Sequence, residues 1–272
     1  MPDYRIKSVH AVQVQSRRHN MAVSARVETM DGAVGKALCY AGVSVGTHEV
    51  HFQYDGGNRW GGLGCMSAVR NVNTIIADTI LGMDVRNQFE IDQAMLSIQG
   101  NGSASVGGNA IAAVSAAVLK AGAAATQMPL YRYIGGENAC MLPVPGAPAF
   151  SGGERWGGAV HTHGNKPTGA FQCFGYDSFS EASSAAWDMY HLFAKELEKR
   201  GVTEGDWFFY RIPAGIFKHS DEELFELMAD VIHKTGNDGK AGIQIDVAAD
   251  CYYDRNHKRY RGLFSKEERD RD

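Results

Sequence analysis

The first forty residues of the chain alternate between apolar and polar positions, which is the pattern of β-strands that bury one face. The apolar positions are Ile6, Val9, Val12, Val14, Val23, Ala25 and Val27. Asp31-Gly32, a dipeptide typical of hairpin turns, precedes another apolar run that ends before residue 42. The pattern predicts three antiparallel strands over about residues 5–42.

From Met66 onwards, apolar residues recur every three or four positions, which is the period of an amphipathic helix. This spacing predicts helices over about residues 66–80, 85–98 and 109–126, followed by a short helix at 130–134. Because the strands come first and the helices follow, we expect an α+β domain over residues 1–140.

The segment Leu142-Pro143-Val144-Pro145 interrupts this pattern and indicates a linker to a second region. Beyond it, strands are predicted near 144–150 and 169–176, a helix near 180–200, and a buried strand at 242–247 that contains Asp246. A carboxylate at the C-terminal end of such a strand is typical of (β/α) barrels. We therefore expect residues 141–272 to form part of a barrel.

The composition and charge narrow the function classes. Hydrophobic residues make up 44% of the chain and charged residues 21%, as in globular proteins. A net charge of −4, without a basic cluster, argues against nucleic acids and anionic membranes as partners. The five cysteines are scattered, and no window approaches the roughly 18 apolar residues of a membrane helix. These features predict a cytoplasmic protein.

Several motifs along the chain resemble those of the enolase family, in the same order. They are residues 6–11, 27–35, the loop 42–49, 68–73, 82–88, Gly108–Ile111 together with Pro129–Gly136, and 245–249. The resemblance implies an α+β N-terminal domain over 1–140 and an incomplete enolase-type (β/α) barrel over 141–272. It also implies a lyase of glycolysis, phosphopyruvate hydratase, which converts 2-phosphoglycerate to phosphoenolpyruvate with Mg²⁺.

Two residues match magnesium ligands of the family. Ser44 corresponds to the serine of the mobile active-site loop, and Asp246 to the first metal carboxylate. Mg²⁺ requires several oxygen ligands in octahedral geometry, so one carboxylate would hold it weakly. The alternative is that the loop and the strand-end carboxylate remain without a metal.

The family's catalytic positions are replaced, so that no catalytic residue is assigned. Arg155 stands where the family has a substrate-closing histidine, and Arg211 where it has a catalytic glutamate. Gln172-Cys173-Phe174 matches the family motif Q-E-F, so that Gln172 is kept for substrate binding while Cys173 replaces the acid/base carboxylate.

These substitutions would place Arg155 and Arg211 at the mouth of the barrel near Cys173. Two guanidinium groups bind phosphate and carboxylate well and repel Mg²⁺, which suggests a metal-free site for a small phosphorylated carboxylate. The alternative is drift at an abandoned site.

Residues 141–272 are also too few for a closed (β/α)₈ barrel, which needs roughly 250 residues. The last strand would leave an open edge, and apolar faces would lie bare. Three explanations are open: the chain is a fragment, another polypeptide supplies the missing half, or the strands have rearranged into a closed structure. The family's base lysine and other metal ligands lie beyond the matched region.

Three functions therefore remain. The chain is a catalytically silent enolase-like protein retained for binding or assembly, or a hydratase completed by a separate C-terminal half, or a non-enzymatic partner of an authentic enolase. Association as a homodimer, with an enolase-type chain or with a C-terminal half is expected accordingly. The missing base and acid/base carboxylates favour the first.

Overall fold

The structure is a computed structural model of the 272-residue chain. It describes residues 2–16, 20–41, 48–100, 105–151, 168–203, 205–206, 209–213, 216–217, 220, 222–249, 253–261 and 268–270, with the backbone alone at 205–206, 209, 211, 261 and 268–270. The described residues fall into two compact units, one up to residue 140 and one from residue 141 onwards.

A three-stranded antiparallel meander begins the first unit. Its strands are β1 (Ile6–Gln15), β2 (Met21–Thr29) and β3 (Val34–Cys39), in the order β1-β2-β3. Residue Ala25 in the central strand pairs with Ala11 on one side and Ala37 on the other. The three strands predicted from the alternating pattern are thus confirmed.

The helices of the first unit follow the meander. They are α1 (Met66–Asn71), a π-helical turn (Val72–Ile76), α2 (Ala77–Ile80), α3 (Gln88–Ser97), α4 (Gly108–Ala125) and α5 (Leu130–Gly135), and a 3-10 turn (Arg59–Gly62) precedes them. The first three form one continuous run, so the predicted helix over 66–80 is present with a π-helical turn inside it. Helix α4 packs against β2 and β3 and forms the centre of the core.

Small residues allow α4 to approach the sheet closely. At Gly35 in β3, a Cβ atom would lie 1.9 Å from the carbonyl oxygen of Ala117 and 2.4 Å from the amide nitrogen of Ala121. Both atoms belong to the helix backbone, so no side-chain rotation could relieve such a contact. Glycine is therefore required by the packing at this position.

Helix α4 corrects one expectation from the sequence. It is the one helix among the described residues that is long enough and apolar enough, by length and composition only, to cross a membrane. No such window was expected from the sequence. Its buried residues belong to the core of the first unit, and 56% of the window is buried. It has the surroundings of a core helix, and its apolar character is explained by that burial.

Polar side chains fix the segment that precedes α1. Asn109, which is buried, accepts a hydrogen bond from the backbone of Gln53 at 3.0 Å and donates one back at 3.1 Å. The carboxylate of Asp55 accepts from the amides of Met66 at 2.9 Å and Ser67 at 2.7 Å. Asp55 thereby satisfies amide donors at the start of α1, which otherwise lack partners within the helix.

The second unit contains a five-stranded sheet. Its strands are β4 (Gly146–Ser151), β5 (Thr168–Cys173), β6 (Gly205–Asp206), β7 (Phe209–Arg211) and β8 (Ala241–Asp246), and they lie in the order β6-β7-β4-β5-β8. Strand β4 pairs with β7 in parallel and with β5 in antiparallel orientation, and β5 pairs antiparallel with β8. A separate small sheet is formed by β9 (Tyr253–Asp254), β10 (Arg259–Arg261) and β11 (Glu268–Asp270).

Helices α6 (Phe179–Glu198) and α7 (Glu222–Lys234) cover one face of the five-stranded sheet. The core between them contains large side chains such as Phe171 and Phe193, whose rings meet edge to face at 5.7 Å. Helix α6 begins with Ser178 as its N-cap residue, whose hydroxyl accepts from the amide of Glu181 at 3.2 Å and donates to the Glu181 carboxylate at 3.1 Å.

The other face of the sheet corrects a second expectation. Over β4, β5 and β8 it carries small and polar side chains rather than bare apolar ones: Gly146, Pro148, Thr168, Ala170, Gln172, Gln244 and Asp246. We call these seven residues the polar face. Because β6 and β8 are the outer strands of the sheet, the described residues form an open sheet and not a closed barrel.

Candidate functional site

Strand alternation separates the two sequence-predicted residues of β5. Gln172 belongs to the polar face, whereas its neighbour Cys173 points to the helix-covered side. Successive side chains of a strand point to opposite faces, so both cannot serve the same site. This geometry divides the Q-E-F-like motif between a cleft and a hydrophobic core.

Cys173 does not lie at the mouth of the barrel, which corrects the expected placement near the two arginines. Only 2% of it is exposed, and its neighbours are the apolar residues of the second core. Burial raises the pKa of its thiol, so that the neutral form is favoured at neutral pH. Cys173 is therefore a core residue in this fold.

One row of paired residues crosses the sheet at the C-terminal ends of β4, β7 and β8. Thr168, the first residue of β5, pairs with Asp246 on one side and with Ser151 on the other, and Ser151 pairs in turn with Arg211. Neighbouring strands lie about 4.8 Å apart, so Asp246 and Thr168 are adjacent. We call these four residues the terminal row.

Gln172 lies away from the terminal row. Because β5 runs antiparallel to its neighbours, Gln172 pairs with Gly242 at the beginning of β8, and Thr168 pairs with Asp246 at its end. Four residues of strand correspond to about 13 Å. The structure thus places Gln172 and Asp246 on the same face but at opposite ends of it.

The remaining sequence-predicted residues are only partly described. Ser44 and Arg155 lie outside the described residues. Arg211 is described in its backbone, which ends β7 and occupies the terminal row. Their assigned roles in the loop and in anion binding stay predictions.

Residues of the terminal row do not fit a magnesium site by themselves. Asp246 is exposed and is the one carboxylate on the described polar face. The part of the chain with described positions contains no group of three or more His, Cys, Asp and Glu residues that could hold a metal ion. Since Mg²⁺ is bound in near-octahedral geometry by oxygen ligands, a further ligand source is required.

The polar face borders an open cleft of about 490 Å³. Two carboxamide oxygens converge in it above Gly146: a Cβ atom at this glycine would lie 2.7 Å from Oε1 of Gln172 and 3.6 Å from Oε1 of Gln244. The Nε2 group of Gln172 donates to the carbonyl of Val144 at 3.1 Å, which orients its oxygen. The cleft is consequently rich in hydrogen-bond acceptors.

Motif comparison did not identify three residues of the candidate site, namely Thr168 and Gln244 of the polar face and Ser151 of the terminal row. Gln244 could have been found from the sequence, because it precedes Asp246 by two positions and so shares its strand face. Thr168 and Ser151 required the pairing register of β4, β5 and β8, which the sequence does not specify.

Comparisons with known proteins agree with this architecture. The family model "Enolase, N-terminal domain" matches residues 6–134, and the model "Enolase, C-terminal TIM barrel domain" matches residues 139–272. Enolase from Campylobacter jejuni subsp. jejuni is 36% identical over 255 residues, which cover 91% of this chain and 59% of that protein.

Two further relatives give the same result. Enolase from Methanopyrus kandleri is 38% identical over 275 residues, covering 98% of this chain and 62% of the relative. Enolase from Bifidobacterium longum subsp. infantis is 36% identical over 274 residues, covering 97% and 60% respectively. The chain thus spans about three-fifths of the length of these curated relatives. With both family models matched in succession over nearly all its residues, the chain belongs to the enolase family.

Proposed function

We propose that these 272 residues do not dehydrate 2-phosphoglycerate on their own, and that the chain acts in binding or assembly. One observation carries this proposal: Asp246 is the only titratable side chain among the described residues that line the cleft. Removal of a carbon-bound proton and expulsion of hydroxide need a base and an acid in defined positions. One exposed carboxylate cannot serve as metal ligand, base and acid together.

The substitutions at matched positions support the same proposal. Arg155 and Arg211 replace a histidine and a glutamate of the family, and Cys173 is buried away from the cleft. General acid–base groups contribute about 10²–10⁴-fold each to a rate. A second polypeptide could supply a lysine and metal ligands, but these replaced groups would remain.

A second candidate is a Mg²⁺-dependent phosphopyruvate hydratase of glycolysis that another polypeptide completes. The open sheet favours it, because no pairing at the outer edge of β8 is found among the described residues. Unpaired N–H and C=O groups of an edge strand are a template for another chain. A C-terminal half, an enolase-type chain or a second copy of this chain could occupy that edge.

The two candidates differ in one assay. Formation of phosphoenolpyruvate from 2-phosphoglycerate is measured with Mg²⁺ for the purified chain, and again after a lysate of its source is added and the chain is recovered by its tag. The first candidate predicts no formation of phosphoenolpyruvate, either by the purified chain or by the chain recovered from the lysate. Turnover that appears only with a co-purifying polypeptide would favour the second, and turnover by the chain alone would contradict the proposal.

The ligand proposed for the silent protein is a small phosphorylated carboxylate, bound through Arg155 and Arg211 without a metal. Binding of phosphoenolpyruvate, measured by calorimetry, should be lost in Arg155→Ala. The absence of binding by the unsubstituted chain at millimolar ligand would refute this assignment. We also place the protein in the reducing cytoplasm, with support from the free state of Cys39, Cys65, Cys140 and Cys173.

A further inference from the structure

The convergence of two amide oxygens above Gly146 calls for a hydrogen-bond donor. Oε1 of Gln172 and Oε1 of Gln244 approach the same point, where the missing side chain of Gly146 leaves room. Because Nε2 of Gln172 donates to the carbonyl of Val144, the oxygen of this amide is directed to the cleft. Two acceptors that lie within 3.6 Å of one point are matched by a ligand that carries several N–H groups.

The charge of the cleft selects a cation. Its described lining contains no Lys, Arg or His, and Asp246 adds a negative charge at one end. Hydrogen bonds from a charged donor are roughly twice as strong as those between neutral groups. The lining also contains no aromatic ring on which a sugar could stack. A primary ammonium or a guanidinium group therefore fits better than a neutral polyol.

We propose that the cleft above Gly146 binds a small organic cation through Oε1 of Gln172 and Oε1 of Gln244. A primary ammonium has three N–H donors and can bridge both oxygens, while a guanidinium can donate to both from one plane. The site is distinct from the terminal row and does not depend on the proposed function.

The test is a titration of the full ¹⁵N-labelled chain, observed by NMR at the side-chain amides. The probes are methylguanidinium, 1,4-diaminobutane and the peptide acetyl-Gly-Arg-Gly-amide, with glycerol and inorganic phosphate for comparison. The first two represent a free metabolite and the peptide represents an arginine side chain. We expect saturable shifts at Gln172 and Gln244 for the cations, and relative affinities that indicate which source is preferred.

Two substitutions remove the acceptors with little change in volume. Gln172→Met and Gln244→Met should each weaken cation binding at least about tenfold, since a hydrogen bond to a charged group is lost. Gln93→Met, at an exposed position of α3, is the matched control and should leave binding unchanged. Gly146→Ala should also weaken binding, because its Cβ would displace the end of the Gln172 side chain.

Thermal unfolding of each variant separates loss of binding from loss of the fold. Unfolding temperatures near that of the original chain, with weakened binding, would support the site. The proposal is overturned by the absence of saturable shifts for all three cations, by equal affinity for glycerol, or by phosphate binding at the same amides. Equal cation binding by a folded Gln172→Met, Gln244→Met double variant would also overturn it.

Discussion

At the scale of single residues, motif comparison and strand geometry give different accounts of β5. The Q-E-F-like motif places the neighbours Gln172 and Cys173 in one site, but β-strand alternation sends them to opposite faces. The pairing register instead puts Thr168 beside Asp246. A motif fixes residue types in order, whereas the site depends on pairing between strands that are distant in sequence.

This difference can be measured by introducing a carboxylate at each position. Cys173→Glu should destabilise the protein by about 3 kcal/mol or more, because a charge would enter an apolar core without a partner. Thr168→Glu should cost about 1 kcal/mol or less, since it lies on the polar face, where the main penalty is repulsion from Asp246. Urea unfolding of both variants measures the two free energies.

The matched control for the buried position is Cys173→Ala, which separates the effect of lost packing from that of the charge. Equal stability of Cys173→Glu and Thr168→Glu would contradict the orientation of β5 described above. Restoration of hydratase turnover by Cys173→Glu would contradict it more strongly.

At the scale of helices and strands, the apolar periodicity predicted most elements correctly. The meander, α4 and β8 lie where the alternating or helical patterns placed them. What the periodicity could not supply is how the elements pair and approach. The contact between Gly35 and α4, for example, depends on the absence of a side chain, which leaves no mark in a hydrophobic pattern.

Gly35→Ala tests this close approach. We expect a loss of about 3 kcal/mol in the free energy of unfolding, because the new Cβ would overlap backbone atoms of α4 and force the helix away from the sheet. Lys36→Ala, at the exposed neighbouring position, is the control and should change stability by less than about 0.5 kcal/mol. Similar values for both variants would show that α4 does not approach β3 as described.

Asp55 gives a pH-dependent prediction at the start of α1. Burial opposes its ionisation, but hydrogen bonds from Ser67 and Met66 outweigh it and hold the pKa of its carboxyl below the usual value of 3.8. The folded pKa is thus below the unfolded one. The stabilisation is therefore complete above the unfolded pKa and is lost as the pH falls through the folded pKa.

Asp55→Ala should lower stability by about 1 kcal/mol at pH 7, the usual value of a helix-capping interaction. The difference between the original chain and Asp55→Ala should shrink as the pH falls below about 4, because the unfolded chain takes up the proton first and the folded chain only at lower pH. Urea unfolding between pH 3 and 7 measures it, with Asp55→Asn as the uncharged control. A difference that does not change with pH would exclude the proposed role of the charge.

At the scale of the whole molecule, the chain combines the enolase-family fold with a cleft whose described lining contains one titratable side chain, Asp246. The sequence predicted the family and both fold regions, and the two family models confirm them. It did not predict the polar face, because that face is formed by β4, β5 and β8, whose pairing the sequence does not specify. This polarity lets the sheet meet solvent without exposing the large apolar surface that was expected.

The central proposal is that the chain does not remove the carbon-bound proton next to the carboxylate of 2-phosphoglycerate, and it rests on the cleft, where Asp246 is the one titratable side chain among the described lining residues. Its most direct test is hydrogen exchange at that carbon, measured by NMR with the purified chain, Mg²⁺ and substrate in D₂O. This reports proton removal even if no product forms. We predict exchange no faster than in buffer alone. Exchange that scales with the concentration of the chain would contradict the account.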